Sequence, residues 1–352
     1  MLARGLCEVY DGIATDGGSV QQDASMPIIM RRALARLSRH CIEDGVDDIG
    51  SSIHLLMEQA TDAMIRWGVP SFAGQFRYSE VALVDGDLGV PTEDCRELAR
   101  IGGSELDACE DLHHEQLRAA IQSYPTSGRE AAYTAIREFV VRNPVVSLEA
   151  LHRFMSDGHA HAARMISGLY RNIPRGAIAS GAFTTCGRCG ALLWPVRDPA
   201  YPLGRCQIRQ CFLEGETRVG TQCDEPVSHR LASAALLAFW VGPGLDEIGL
   251  YDMLRAAGRQ VALYPLMDAA DVGIDGLAVG LDVKSYASPL VLGARLTRGI
   301  GRLAMFARKI IVVPDYKIRL NPRYLEDLRA AYCGTDPLEF MTVAQTMRAF
   351  AR

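Results

Sequence analysis

The chain has 352 residues, 49% of them apolar and 22% charged, with a formal net charge of −5. That is the profile of an ordinary globular protein with enough chain for two or more domains, and not of one that coats nucleic acid indiscriminately. No apolar run of about 18 residues is free of charge, so no membrane span is expected.

The opening "MLARGLCEVYDGIATDGG" meets acids and glycines too early for a secretory signal. The ten cysteines are therefore expected to stay reduced in a cytoplasmic protein, where clustered cysteines are metal candidates.

From about residue 26 to 170 the pattern is helical. "PIIMRRALARLSRHCI", "SIHLLMEQATDAMIRWG" and "GREAAYTAIREFVVRNP" repeat apolar residues at three- and four-residue spacing, and the last stops at Asn143-Pro144. "SLEALHRFM" follows with Ser147 as its N-cap. "HAHAARMISGLYRNIP" then runs to another proline. An all-α N-terminal domain over residues 1–175 is expected. His159 and His161 point to different helix faces without a carboxylate partner, so a surface or capping role fits them better than metal; the same holds for His113 and His114.

Residues 176–225 change character, with glycine, proline and cysteine rising in "TTCGRCGALLWPVRDPAYPLGRCQIRQC". Cys186 and Cys189 form a C-x-x-C flanked by glycines that let both thiolates face one point. Cys206 and Cys211 supply a second pair after a linker long enough for a short hairpin. Four thiolates suit a structural Zn2+, in a zinc-ribbon-like module that folds around the metal. The second pair is spaced more widely than the first, and Cys223 is an alternative to Cys211. A redox role is the rival, but such motifs open a helix within a βαβ unit, and proline and glycine surround this one.

Helices return in "SHRLASAALLAFWVGPG". Strand candidates follow in "QVALYPL", "DVGI", "LAVGLDVKSY" and, after a helix, "RKIIVVPD", while the ends "NPRYLEDLRAAY" and "PLEFMTVAQTMRAFA" read as helical. The expected fold class is α+β multidomain: the N-terminal domain, the zinc module, an α/β core over 226–335 and a C-terminal helix over 336–352. In the core, strand alternation sends Asp282 and Lys284 to one face and Val283 inward. Asp271 can meet Asp282 across the strand pair, and Glu247 lies on the preceding helix. Phosphodiester hydrolysis needs carboxylate-held divalent cations and a positive group near the attacking water.

This order of helix acid, strand acid, hairpin, D-x-K, helix and strand resembles the PD-(D/E)xK restriction-endonuclease-like core. The resemblance implies that Asp271, Asp282 and the Val283 carbonyl hold Mg2+ or Mn2+. It also implies that Lys284 orients or helps deprotonate the water, and that Glu247 completes the metal site. No proline directly precedes Asp271, the nearest being Pro265, so Asp268 competes for the first-acid role; the third acid is Asp where Glu is commoner.

A narrower resemblance covers roughly residues 120 to 335. The helical part, the cysteine knuckle, "LYP…D…D" and "DVKSYASP" are similar to the nuclease encoded beside PIWI/Argonaute-like proteins of the pPIWI-RE class. It implies a metal-dependent DNA endonuclease in prokaryotic defence against foreign DNA, with an Argonaute-like protein and a helicase as partners. The alternative from a different class is a non-catalytic zinc-containing adaptor with a nuclease-like core.

Charge and lysine usage sharpen the nuclease reading. Acids dominate the first third of the chain, which suits a protein partner better than DNA. Between Lys284 and Arg329, ten basic residues face only Asp315, Glu326 and Asp327, a local field able to attract a phosphate backbone. Lys284, Lys309 and Lys317 are the only lysines. Lysine differs from arginine most where a compact, titratable amine is needed; Lys309 is expected to flank the site and Lys317 to lie on the surface.

Overall fold

The structure, a computed structural model, describes residues 1–16, 19–73, 78–101, 116–215 and 217–351; His113 and His114 lie outside the described residues. The chain divides into two compact units that cut across the segments drawn from sequence. One comprises Met1–Asp111, Tyr286–Gly299 and Asn321–Thr335; the other comprises Leu112–Ser285, Ile300–Leu320 and Asp336–Arg352.

The first unit is helical. Its helix Ile28–Asp44 buries Met30, Ala33, Leu34, Leu37 and Cys41, one apolar stripe at helical spacing, and stops at Gly45. The stretch expected as one helix from Ser52 to Gly68 holds an α-helix only over Ile53–Gln59, then a short 3-10 turn over Met64–Arg66. Two helices from the far end of the sequence, Pro289–Arg298 and Tyr324–Ala331, belong to this unit. Buried Asp94 accepts the Ala287 and Ser288 amides at 2.8 and 3.0 Å, so a carboxylate meets the orphan donors ahead of helix Pro289–Arg298. Glu97, fully buried, draws Arg100, Arg295 and Arg298 onto itself.

The second unit mixes helix and sheet. Strands β1 (Val145–Ser147), β2 (Tyr170–Asn172), β3 (Phe183–Cys186), β4 (Leu193–Trp194), β5 (Arg205–Cys206), β6 (Val219–Cys223) and β7 (His229–Ala232) precede the core. β7 pairs antiparallel with both β1 and β2. The span 1–175 is thus not all-α as expected, and "SHRLA" is a strand where a helix was expected. These three strands are only three or four residues long, too short to show alternation, and their partners lie far off in sequence. Ser147 does cap its helix, accepting the Ala150 amide at 3.1 Å.

The core strands are β8 (Val261–Leu263), β9 (Val272–Ile274), β10 (Val279–Val283), β11 (Arg308–Val313) and β12 (Leu338–Thr342). They form one sheet in the order β12-β11-β10-β9-β8. The β8–β9 and β9–β10 pairs are antiparallel, whereas β10–β11 and β11–β12 are parallel. Four of these strands lie where alternation and β-branched content place them. β12 is a correction, because "PLEFMT" was expected to be helical. The helix begins only at Val343, where Thr342 and Gln345 form a capping box, a start signal inside a run whose apolar spacing suits either element.

Gly280 permits the sheet to be covered. A Cβ there would come within 2.6 Å of the Phe306 ring and 2.8 Å of Leu303. No described helix is long and apolar enough to cross a membrane.

Candidate functional site

Two clusters of chemistry-bearing side chains lie in the second unit. The first is made of cysteines. The Sγ atoms of Cys186, Cys189, Cys206 and Cys211 all fall within 4.8 Å of one another and all four residues are buried. Cys186–Cys211 are 3.8 Å apart and Cys189–Cys206 3.5 Å. Four Zn–S bonds of about 2.3 Å in a tetrahedron imply sulfur separations of about 3.8 Å, so the donors fit a metal such as zinc.

The knuckle is local. Gly190 has φ of +76°, a left-handed turn that glycine takes without strain, and its amide donates to the Cys186 carbonyl at 2.8 Å. Hydrogen bonds from Cys189, Cys206 and Cys211 pull the Cys186 thiol toward its thiolate form. Cys223 lies in β6, partly exposed and outside the cluster. The four cysteines chosen from spacing are the four that converge.

The second cluster surrounds β10. Lys284 Nζ donates to Asp282 Oδ1 at 2.8 Å, with both side chains partly exposed, while Val283 between them is buried. The buried Asp271 carboxylate accepts the Val283 amide at 2.6 Å. Its pKa stands well above the ordinary carboxylate range, through burial first and then the charge of Glu247, with Asp282 and Asp268 adding to the effect and Lys284 opposing it. Glu247, 3% exposed, is also raised by burial, opposed by Arg137 and by a hydrogen bond from Tyr264. The structure therefore brings Glu247, Asp271, Asp282 and Lys284 into one electrostatic neighbourhood. Their carboxylate oxygens do not converge as the sulfurs do: among the described residues, only the cysteines form a group of ligand atoms so close.

Sequence reading missed Arg137. It projects from helix Arg129–Arg142, is only 4% exposed and bonds Glu247 Oε2 at 3.0 Å through one guanidinium nitrogen. The other nitrogen contacts Asp268. The guanidinium lies over the Tyr264 ring at 4.0 Å, and the Tyr264 hydroxyl donates to the same Glu247 oxygen at 2.7 Å. Asp268, the rival first acid, is thus engaged by an arginine, whereas Asp271 is turned toward β10.

Backbone strain is concentrated here. Tyr264, Leu266, Met267 and Asp268 have φ of +48°, +55°, +55° and +76°, conformations that bulky residues adopt at a cost of roughly 1–3 kcal/mol each. Helix Arg129–Arg142 supports the loop. Glu130 accepts the Leu266 amide at 2.5 Å, and Thr134 donates to the Leu263 carbonyl at 3.3 Å.

The other expectations divide. Lys309 pairs in register with Gly280, so it stands on the Asp282 face two positions away. Lys317 is a correction: it is 6% exposed and packs over Tyr316 at 5.3 Å. Much of the basic stretch is paired with acids. In the first unit Arg295 and Arg298 turn to Glu97 and Arg323 to Glu326. In the second, Arg308 pairs with Glu339 at 2.5 Å and Arg319 with Glu214 at 3.3 Å. His159 stacks on Phe154 and its Nδ1 meets the Tyr124 hydroxyl at 3.2 Å, while His161 sets its ring edge-on to Tyr124. That is an aromatic packing role.

Two family models match the chain. Residues 244–352 match "REase associating with pPIWI_RE" and residues 9–147 match "pPIWI_RE three-gene island domain Y". No curated protein and no solved structure matches. Glu247, Asp271, Asp282 and Lys284 fall in the first matched segment, and Arg137 in the second. Together the matches support a restriction-endonuclease-like protein associated with pPIWI_RE.

Proposed function

We propose that the protein is a DNA endonuclease of the PD-(D/E)xK type, dependent on Mg2+ or Mn2+. The observation that carries this reading is the D-x-K pair at the end of β10, with Lys284 2.8 Å from Asp282 and buried Asp271 hydrogen-bonded to the residue between them. Carboxylate and carbonyl oxygens are the hard donors that such a cation takes. Asp271, Asp282 and the Val283 carbonyl would hold it, and Asp271 rather than Asp268 is the first acid. When bound, the cation supplies Lewis-acid stabilisation of charge on the phosphoryl group. Lys284, beside Asp282, would orient the attacking water and balance its developing negative charge.

The four cysteines hold a structural Zn2+ that folds the 183–223 segment. Foreign DNA is the substrate, delivered in a defence system with an Argonaute-like protein and a helicase; the pPIWI_RE descriptions of both matched segments support that context. The test is cleavage of plasmid and single-stranded DNA with Mg2+ or Mn2+ against a chelator control, in wild type and in Lys284→Arg. Metal-dependent cleavage that Lys284→Arg loses is expected. Full cleavage by Lys284→Arg overturns the role of the lysine, and no cleavage by wild type under any metal, alone or with partners, favours the adaptor.

A further inference from the structure

We propose that Arg137 is the built-in cation of the acid site: it holds Glu247 and Asp268 so that the site takes a single divalent ion, on Asp271 and Asp282. The inference rests on the nuclease reading above and assigns Glu247 a positioning role in place of a metal-ligand role.

Three observations carry it. First, the guanidinium is buried and fork-shaped, and it spans two carboxylates at once, contacting Glu247 at 3.0 Å and Asp268. Planar, permanently charged arginine suits such a bridge, and an unpaired charge at this depth would be strongly destabilising. Second, Glu247 Oε2 also receives the Tyr264 hydroxyl at 2.7 Å, and Tyr264 in turn lies under the guanidinium at 4.0 Å. That one oxygen is thereby engaged twice by the protein itself. Third, the charge balance favours one ion. Asp271 interacts with Glu247, Asp268, Asp282 and Lys284, and Arg137 with Glu247 and Asp268. At most, four carboxylates less the two cations leave two negative charges, the charge of one divalent ion. The next acid along the helix, Asp246, has Lys317 as its own neighbouring cation.

The arginine comes from the segment matched as domain Y and its partners from the segment matched as REase. Residues 244–352 alone would therefore lack a charge that the site contains. Glu130 and Thr134 of the same helix hold the strained 263–268 loop that carries Tyr264 and Asp268. Helix Arg129–Arg142 is thus a positioning element for the acid site, acting through the loop and through Glu247.

The experiment is a Mn2+ titration followed by electron paramagnetic resonance on the full chain, with zinc supplied beforehand so that the cysteines are filled. Wild type is expected to bind one Mn2+, lost in Asp282→Asn. Glu247→Gln is expected to keep that ion, weakened by no more than the roughly 10–100-fold that loss of an orienting residue costs, because Glu247 is not a ligand. Two ions in wild type, or loss of the ion in Glu247→Gln as complete as in Asp282→Asn, overturns the inference and leaves the nuclease reading standing. Manganese binding that Asp282→Asn does not reduce, or no binding at all, overturns the nuclease reading and this inference with it. Arg137→Met is expected to bind a second Mn2+; because that variant strands buried Glu247 and half-buried Asp268, its fold is checked by circular dichroism. A folded Arg137→Met that still binds one ion counts against the inference, and if the variant does not fold, the Glu247→Gln affinity decides.

Discussion

The cysteine cluster and the acid cluster are both groups of four potential ligands, and they are prepared in opposite ways. The four sulfurs already stand at the spacing of a metal tetrahedron. The acids instead are held by the protein's own cations, Lys284 on Asp282 and Arg137 on Glu247 and Asp268. A structural ion is part of the folded state, so its ligands can converge fully. A catalytic ion needs open positions and a site that survives without it. Internal cations supply that survival, since buried carboxylates lacking them would take up protons or unfold the loop that carries them.

The largest expected effect tests the first half of that contrast. Cys186→Ser should remove bound zinc and most of the fold of the 183–223 segment, since structural zinc sites in small peptides contribute on the order of 10 kcal/mol. Elemental analysis and thermal melting check it. Zinc retained in full, with an unchanged melt, would show that Cys186 is not a ligand. At the acid cluster the order reverses. Asp282→Ala and Lys284→Ala should each lower cleavage by about 10²–10³-fold while leaving the melting profile nearly intact, because both side chains are partly exposed.

Truncation separates the regions further. Removing residues 1–120 should lower stability sharply, because helices Pro289–Arg298 and Tyr324–Ala331 share a compact unit with the N-terminal helices. The melting temperature of the truncated chain tests this, and an unchanged value would mean that the REase-matched segment holds those helices by itself. Basal cleavage should fall together with stability in the truncated chain.

A smaller effect concerns pH. Burial, then the charge of Glu214, pushes the Asp246 carboxyl up to about 7. Between the ordinary carboxylate value of about 4 and about 7, the folded protein keeps a proton that the unfolded chain has released. Stability therefore falls as pH rises through that window. Asp271 and Glu247 shift in the same direction and should steepen the fall in metal-free protein, while added Mn2+ should flatten it. Asp246→Asn should raise the melting temperature at pH 8 by about 2–4 °C and change it little at pH 4.5. The smallest effect is expected at Thr342→Ala, which removes the capping box of the last helix at about 1 kcal/mol, measured by denaturant midpoint.

What the sequence made legible follows from how far each signal reaches. The C-x-x-C knuckle is set by neighbours three residues apart, and its second pair lies close behind. Asp282 and Lys284 share a face because strand alternation is short-range and strict. Arg137 was invisible for the opposite reason. It is separated from Glu247 by 110 residues, and in "GREAAYTAIREFVVRNP" an arginine at that position reads as a solvated cation. Only the tertiary structure reveals that it is buried. Strand β12 was misread because five residues of mixed pattern run straight into a helix. Its parallel pairing with β11 outweighs a local preference that was weak in either direction.

The helix that carries Arg137 also has a consequence for inheritance. Glu130, Thr134 and Arg137 lie in one matched segment, and the loop and acid they hold lie in the other. A recombination event that exchanged either segment for a distant counterpart would break several long-range matches at once, and no single point change could restore them. A chimera that joins one segment to a distant counterpart of the other should show its incompatibility first around Tyr264 and Asp268.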